Sequence, residues 1–400
     1  MRAGVAKTII TPPLPVHLVG YSRERRTIEV ADELAARALV LEADGQRVAL
    51  LSAELLWLEH GQVETIRAQI AALCGLEPGA VMVACTHTHS GPDTLGWYDY
   101  APLDEAWLAT LLRQLAGCVW LACQRLRPVR AERVEGTLPV GICRRLRTEN
   151  GMVIGQNPDG LYDDSAVGLR LLDEAGGLYA SVVSAGVHPT SQGAEEPLVS
   201  ADWPGVMCRL VERELGGTCL FVNGACGDVN ARMPAGRGQA VTQRVGTAAG
   251  GAAIKLLAGP SAGNAAAAAS DASEGAAVGA VRRSLLLTPR EHPYLKAIID
   301  RRVAADGGLR TEVQALRLGP LALVSLPGEV LTETGWAVQR ATRLPGARIA
   351  GYTNDYIGYL PLAHIYEEGG YEPSAAMLPA EGVAELVAAA VGVGDDLAAR

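Results

Sequence analysis

The sequence predicts an α/β fold of mixed β-sheets with hairpin-linked strands flanked by α-helices. Three observations carry this. Apolar β-branched runs and helix-periodic segments interleave along the 400 residues, the pattern of sheets covered by helices. Neighbouring strand-like runs are joined by short turn sequences, at Asp44-Gly45, Glu174-Ala175-Gly176-Gly177 and Gly319-Pro320, so hairpins stand beside crossovers. The hydrophobic class reaches 49% while aromatics are only 4%, with one Phe at 221. The core is therefore built from Val, Leu, Ile and Ala.

In chain order, runs at 38–42 and 47–51 form the first hairpin. Val63, Ile66, Ile70 and Leu73 give residues 61–74 helical spacing, and Gly75 is their C-cap. A strand over 80–85 leads into Thr86-His87-Thr88-His89-Ser90-Gly91-Pro92. Residues 105–125 read as a long helix and 129–140 as a strand. The second hairpin delivers Val187-His188-Pro189; a helix follows Trp203-Pro204, and the strand 219–222 runs into Asn223-Gly224-Ala225-Cys226-Gly227-Asp228. Residues 258–275, rich in Ala, Gly and Ser, read as a mobile surface loop. A strand over 276–287, a helix near 291–305 and the third hairpin then lead to Ser325-Leu326-Pro327-Gly328-Glu329. An Ala-rich helix near 379–391 comes last. Candidate site residues lie on both sides of the low-complexity stretch, so one domain spanning 1–400 is expected.

Thirty-five basic against 44 acidic residues leave a formal charge of −9. No basic field advertises a nucleic-acid or anionic-membrane partner, and the scarcity of aromatics argues against stacking on bases. Uninterrupted apolar runs such as 115–123 fall short of the roughly 18 residues of a membrane span. The opening lacks an apolar signal region, and the eight cysteines form no C-x-x-C pair and sit in apolar runs. Buried reduced thiols in a cytoplasmic protein are the expectation. No nucleotide-binding glycine loop occurs, and Gly224-Ala225-Cys226-Gly227 lacks the spacing of a nucleophile elbow.

Three of the seven histidines, His87, His89 and His188, fall at strand ends beside Gly and Pro. His87 and His89, at i and i+2, point the same way from an extended strand. They are either a metal pair, one ligand with an acid/base partner, or groups hydrogen-bonded to loop backbone. Glu329, ending an apolar strand, needs a partner, which an arginine could also supply. Asp228 reads equally as a turn residue.

Taken together and in order, these blocks resemble the catalytic domain of neutral/alkaline non-lysosomal ceramidases. The resemblance rests on Gly4 to Pro12 with Ile9 where the family has Asp, on 86–92, on His188-Pro189-Thr190, and on Ser200-Ala201-Asp202-Trp203-Pro204-Gly205. It continues through Asn223-Gly224 with Gly227-Asp228, Pro327-Gly328-Glu329, and Gly351 to Tyr359. It implies one Zn2+ per chain, held by His87, His188, Glu329 and Tyr359, which would bring a water's pKa toward roughly 7 for attack on a carbonyl. His89 would shuttle a proton or bind substrate oxygen. Arg144, with Arg145 as the competing choice, would stabilise the oxyanion. Asp228, Asn230 and Tyr356 complete the candidate catalytic group.

Two departures matter. Asn230 replaces the family's serine in Gly227-Asp228-Val229-Asn230, and the chain ends soon after its last helix, so no C-terminal immunoglobulin-like domain is expected. The expected function is a zinc-dependent hydrolase cleaving an amide or ester of a small or N-acylated substrate other than ceramide. The alternatives are a non-catalytic metal- or ligand-binding member of the family, or a true ceramidase. The oligomeric state is not read from the sequence.

Overall fold

The computed structural model describes residues 1–21, 26–97, 102–233, 236–259, 277–293, 295–304 and 307–400. Three larger sheets form its centre. The first runs in the spatial order Val81–Cys85, Gln46–Ala53, Ala35–Ala43, Arg2–Ile9 and Arg127–Pro128. Its Asp44-Gly45 hairpin pairs Ala43 with Gln46, and both turn residues have positive φ (50° and 76°), as a two-residue type I′ turn requires. Val81–Cys85 joins Gln46–Ala53 in parallel, after the crossover helix His60–Cys74. That helix ends on Gly75 at φ 64°.

The second sheet orders Thr218–Asn223, Leu178–Ala185, Ser165–Leu172 and Arg130–Thr137, and its first pair is parallel. The third orders Val278–Leu287, Leu309–Leu318, Leu321–Ser325 and Ala347–Ala350. Gly141–Thr148 pairs with both Gly151–Asn157 and Val229–Ala231 in a smaller sheet.

Strand alternation explains the layering. In Ala35–Ala43, Leu39 and Leu41 face a cluster shared with Leu169 and Val182 of the second sheet and Leu316 and Leu323 of the third. Ala36, Ala38 and Val40 face the other way, onto Leu111, Leu115 and Val119 of the helix Glu105–Cys123. Both faces are buried, so these strands read as continuous apolar runs rather than alternating ones. The helix Ala380–Ala398 covers the third sheet with Val383, Leu386, Ala390 and Val393. The predicted arrangement, mixed sheets flanked by helices, is the observed one.

Some expectations shift. The strand expected over 129–140 stops at Thr137, and the helix near 291–305 is confined to Lys296–Arg302. The low-complexity stretch 258–275 falls, from residue 260 onward, outside the described residues. Among the described residues one helix, Glu105–Cys123, is long and apolar enough to cross a membrane by length and composition. Counting uninterrupted apolar runs passed over it because Arg113 and Gln114 break the run. Here it is a core helix, with Leu111, Leu115, Cys118 and Val119 fully buried. Of the eight cysteines, six are buried and two half-buried, all as free thiols.

Candidate metal centre

The strand Val81–Cys85 ends at one edge of the first sheet, and His87 N continues its pairing by donating to Leu55 O (2.9 Å). His87 then adopts φ 71°, a left-handed conformation that costs a non-glycine residue about 1–3 kcal/mol and is concentrated at functional sites. This corrects the expectation that strand alternation aligns His87 with His89. The strand has already stopped at Cys85, and the two rings meet because the backbone turns at His87. His89 N donates to Pro189 O (3.3 Å), which ties this loop to the segment carrying His188. His188 N in turn donates to Val229 O (3.0 Å), and His188 bridges to Asn230. Glu329 and Tyr359 are direct partners in the short parallel pair Glu329–Val330 and Tyr359–Leu360. Four distant stretches of sequence thus reach one point.

Nδ1 of His87 lies 2.8 Å from Leu56 O, and Nδ1 of His188 lies 3.1 Å from Cys226 O. A carbonyl can only accept, which assigns the ring proton to Nδ1 in both and leaves each Nε2 as a bare lone pair. Nε2 of His89 sits 3.2 Å from that of His87 and 3.1 Å from that of His188. Glu329 Oε1 is 3.5 Å from His87 Nε2, and Oε2 is 3.6 Å from His188 Nε2. His87 and His188 are fully buried. Glu329 Oε2 is buried with no hydrogen-bond partner among the described residues. An orphaned carboxylate oxygen facing bare nitrogen lone pairs is unfavourable unless a cation lies among them. Ligands about 2.0–2.1 Å from a tetrahedral zinc are about 3.3 Å apart. Both the donor set and its spacings fit that ion.

Burial raises the Glu329 carboxyl, while the permanently charged Arg144 guanidinium opposes this and favours the carboxylate. Burial, followed by the neighbouring His87 and His188, holds His89 well below the usual imidazole range. His188 is lowered likewise, by burial and then by Arg144.

Around this group stands a shell of aromatic and charged side chains. Tyr352 stacks on His87 with ring centroids 3.8 Å apart, and its hydroxyl lies 3.0 Å from Cys226 Sγ. Tyr356 donates to Glu329 Oε1 (2.7 Å) while its ring packs 4.5 Å from Trp57. Arg144 donates from Nη2 to the Tyr359 hydroxyl (2.8 Å) and from Nε to Glu372 Oε1 (2.9 Å). Arg145 turns away, to Glu372 Oε2 (2.6 Å) and Glu368 Oε2 (2.9 Å). Alternation along Gly141–Thr148 makes that choice, and Arg144 is the arginine facing the centre.

Asp228 takes a different place from the one expected. Its Oδ1 accepts from both N and Oγ1 of Thr332 (2.8 Å each), capping the helix Thr332–Ala341, whose own N-cap Leu331 has no side chain able to do so. It braces the turn after Glu329. Asn230, almost buried, accepts from Thr190 Oγ1 (3.4 Å) and lines an adjoining cavity. Sequence reasoning missed Glu372 and Trp57. Nothing in Tyr371-Glu372-Pro373 signals a buried carboxylate, because its partners lie more than 200 residues away.

No family model and no curated protein sequence matches the chain. Its structure does match solved ones. The neutral ceramidase from Pseudomonas aeruginosa superposes with a TM-score of 0.79 at 20% identity, over 100% of this chain and 74% of that one. A ceramidase complexed with C2 superposes with a TM-score of 0.81, also at 20% identity, over 99% and 75%. The fold anticipated from seven short blocks of sequence is thus recovered over the whole chain: it is the fold of the neutral ceramidases.

Proposed function

We propose that the chain is a zinc-dependent hydrolase of the neutral ceramidase superfamily that cleaves an amide, or an ester, of a small or N-acylated substrate. One observation carries this reading: the Nε2 atoms of three histidines and the Glu329 carboxylate converge within 3.1–3.6 Å of their neighbours. His87, His188 and Glu329 would hold the ion, with Tyr359 the fourth ligand that the resemblance implies and His89 Nε2 standing beside them. Zinc bound there supplies a Lewis acid and an acidified water.

The remaining steps belong to the chain's own side chains. Arg144 is permanently charged, buried and held by Glu372, which suits a preorganised donor for the oxyanion of a tetrahedral intermediate. His89, kept neutral by its surroundings, has Nε2 at the centre of the group and can accept a proton there and return it to the leaving nitrogen. Tyr356 fixes one Glu329 oxygen, leaving the other for the ion. Trp57 and Tyr356 form an apolar wall that limits water. Asn230 can donate a hydrogen bond but has no hydroxyl proton to exchange, which supports a substrate other than ceramide.

The test is elemental analysis of protein purified without chelator, combined with a hydrolysis screen of N-acyl amides and esters. About one zinc per chain and chelator-sensitive turnover are expected. Full turnover in metal-free protein refutes the proposal.

A further inference from the structure

Beside the metal centre lies a cavity of about 390 Å³ lined by Ile154, Gln156, Asn230, Met233 and Arg237, among others. It is joined to the centre on two sides. Asn230 pairs with His188 along the backbone and accepts from Thr190. The Arg237 guanidinium lies 5.9 Å from the Tyr21 ring centroid, and that ring packs edge-on against His89 at 5.2 Å. The Tyr21 hydroxyl donates to Thr190 O (3.3 Å), so Tyr21 spans the gap between cavity and histidines.

Arg237 forms no ion pair among the described residues. Two carboxylates stand close by: Glu195, whose Oε2 and the Arg237 Cδ both flank Gly193, and Glu196, which accepts from Gln239 N (2.7 Å) and Gln192 Nε2 (3.4 Å). On a chain of net charge −9, this cavity presents the solvent-exposed Arg237 guanidinium, the buried Asn230 carboxamide and the Gln156 carboxamide, whose Nε2 donates to Met233 O (3.2 Å). Ile154 and Met233 supply its apolar side. Such a lining matches a short apolar chain ending in a planar anion, because a guanidinium fork pairs two N–H groups with two carboxylate oxygens.

We propose that the substrate is a carboxylate-bearing amide, of the N-acyl amino acid type, and that Arg237 binds its carboxylate, with Asn230 lining the same cavity. This rests on the hydrolase reading above and adds the substrate class.

The test uses N-hexanoylglycine and its neutral isostere N-hexanoylglycinamide, with the zinc-loaded full chain. Calorimetric binding and steady-state hydrolysis are measured for each. The carboxylate is expected to bind about 10- to 100-fold more tightly than the amide, with the difference in KM rather than kcat. Arg237→Gln should bring the ratio toward one, and Arg237→Lys should restore part of it through the charge alone. Equal affinity for the two compounds, no binding of either, or a ratio unchanged in Arg237→Gln overturns the proposal. Binding that discriminates by charge without hydrolysis upholds the site and refutes the hydrolase reading; hydrolysis without discrimination does the reverse.

Discussion

Glu372 offers the sharpest test of how the centre is organised. Its carboxylate is 1% exposed and divided between two arginines, with Oε1 2.9 Å from Arg144 Nε and Oε2 2.6 Å from Arg145 Nη1. Glu372→Gln keeps the shape but removes the charge, and sets an amide N–H against an arginine N–H. Breaking a buried ion pair from one side costs about 3–5 kcal/mol. Arg145 retains Glu368 Oε2 and Gly369 O, and Arg144 retains the Tyr359 hydroxyl, which places the loss near the lower limit, about 3 kcal/mol. That is less than the roughly 5–15 kcal/mol typical of a folded chain, so the variant should fold. The released Arg144 is no longer fixed for the oxyanion, and a misplaced or missing donor of this kind lowers kcat by about 100-fold. Denaturant titration reads the first effect, and amide turnover with zinc analysis reads the second. Zinc content should be unchanged. Glu368→Gln, which touches only Arg145 from a more exposed position, should cost under about 1 kcal/mol. Full kcat in Glu372→Gln would refute the orienting role. Loss of kcat in step with loss of zinc would show that Glu372 acts on the metal and not on Arg144.

Three further outcomes follow from the same contacts. His188→Ala should lose zinc and turnover together, whereas His89→Gln should keep its zinc and lose about 100-fold or more in kcat; elemental analysis of both variants checks this. Burial raises the Asp228 carboxyl from its ordinary 3.8 to about 6, against the opposing Thr332 hydrogen bonds. The folded state therefore holds that proton more tightly, so this stabilisation is complete below about pH 4 and lost as pH rises through 6, by about 3 kcal/mol in all. Asp228→Asn keeps an acceptor for Thr332 and should flatten that part of the stability profile, read by denaturant titration between pH 4 and 7.5; an unaltered slope would assign it elsewhere. In Gly246→Ala the added Cβ would stand 2.4 Å from Val206 Cβ and 3.0 Å from Trp203 O. The gain of about 1 kcal/mol in helix propensity is outweighed by about 1–3 kcal/mol of overpacking, so a lower denaturation midpoint is expected.

What was legible in the sequence, and what was not, divides along physical lines. Short-range signals carried through: Asp44-Gly45 forms its hairpin, Gly75 its C-cap, and the apolar runs their strands. The helix Gln239–Ala258 was not among the expected elements, and its Gly246 and Gly250 lower its intrinsic helix propensity. In the fold these glycines let that helix approach Asp202–Leu215 so closely that a Cβ at Gly250 would stand 2.5 Å from Leu210 Cδ2. Their reason is a contact with another helix, which no local pattern records. The metal group shows the same division. Four of its candidate members could be named from the resemblance, yet the left-handed His87 that aligns two of them, and the Glu372 that aims Arg144, come from pairings across the fold. The side chains bearing the chemistry are announced by their residue types, whereas those that aim them are ordinary residues made special by position. Functional inference at 20% identity should therefore be tested first at the aiming residues, where a retained ligand set can conceal an altered substrate.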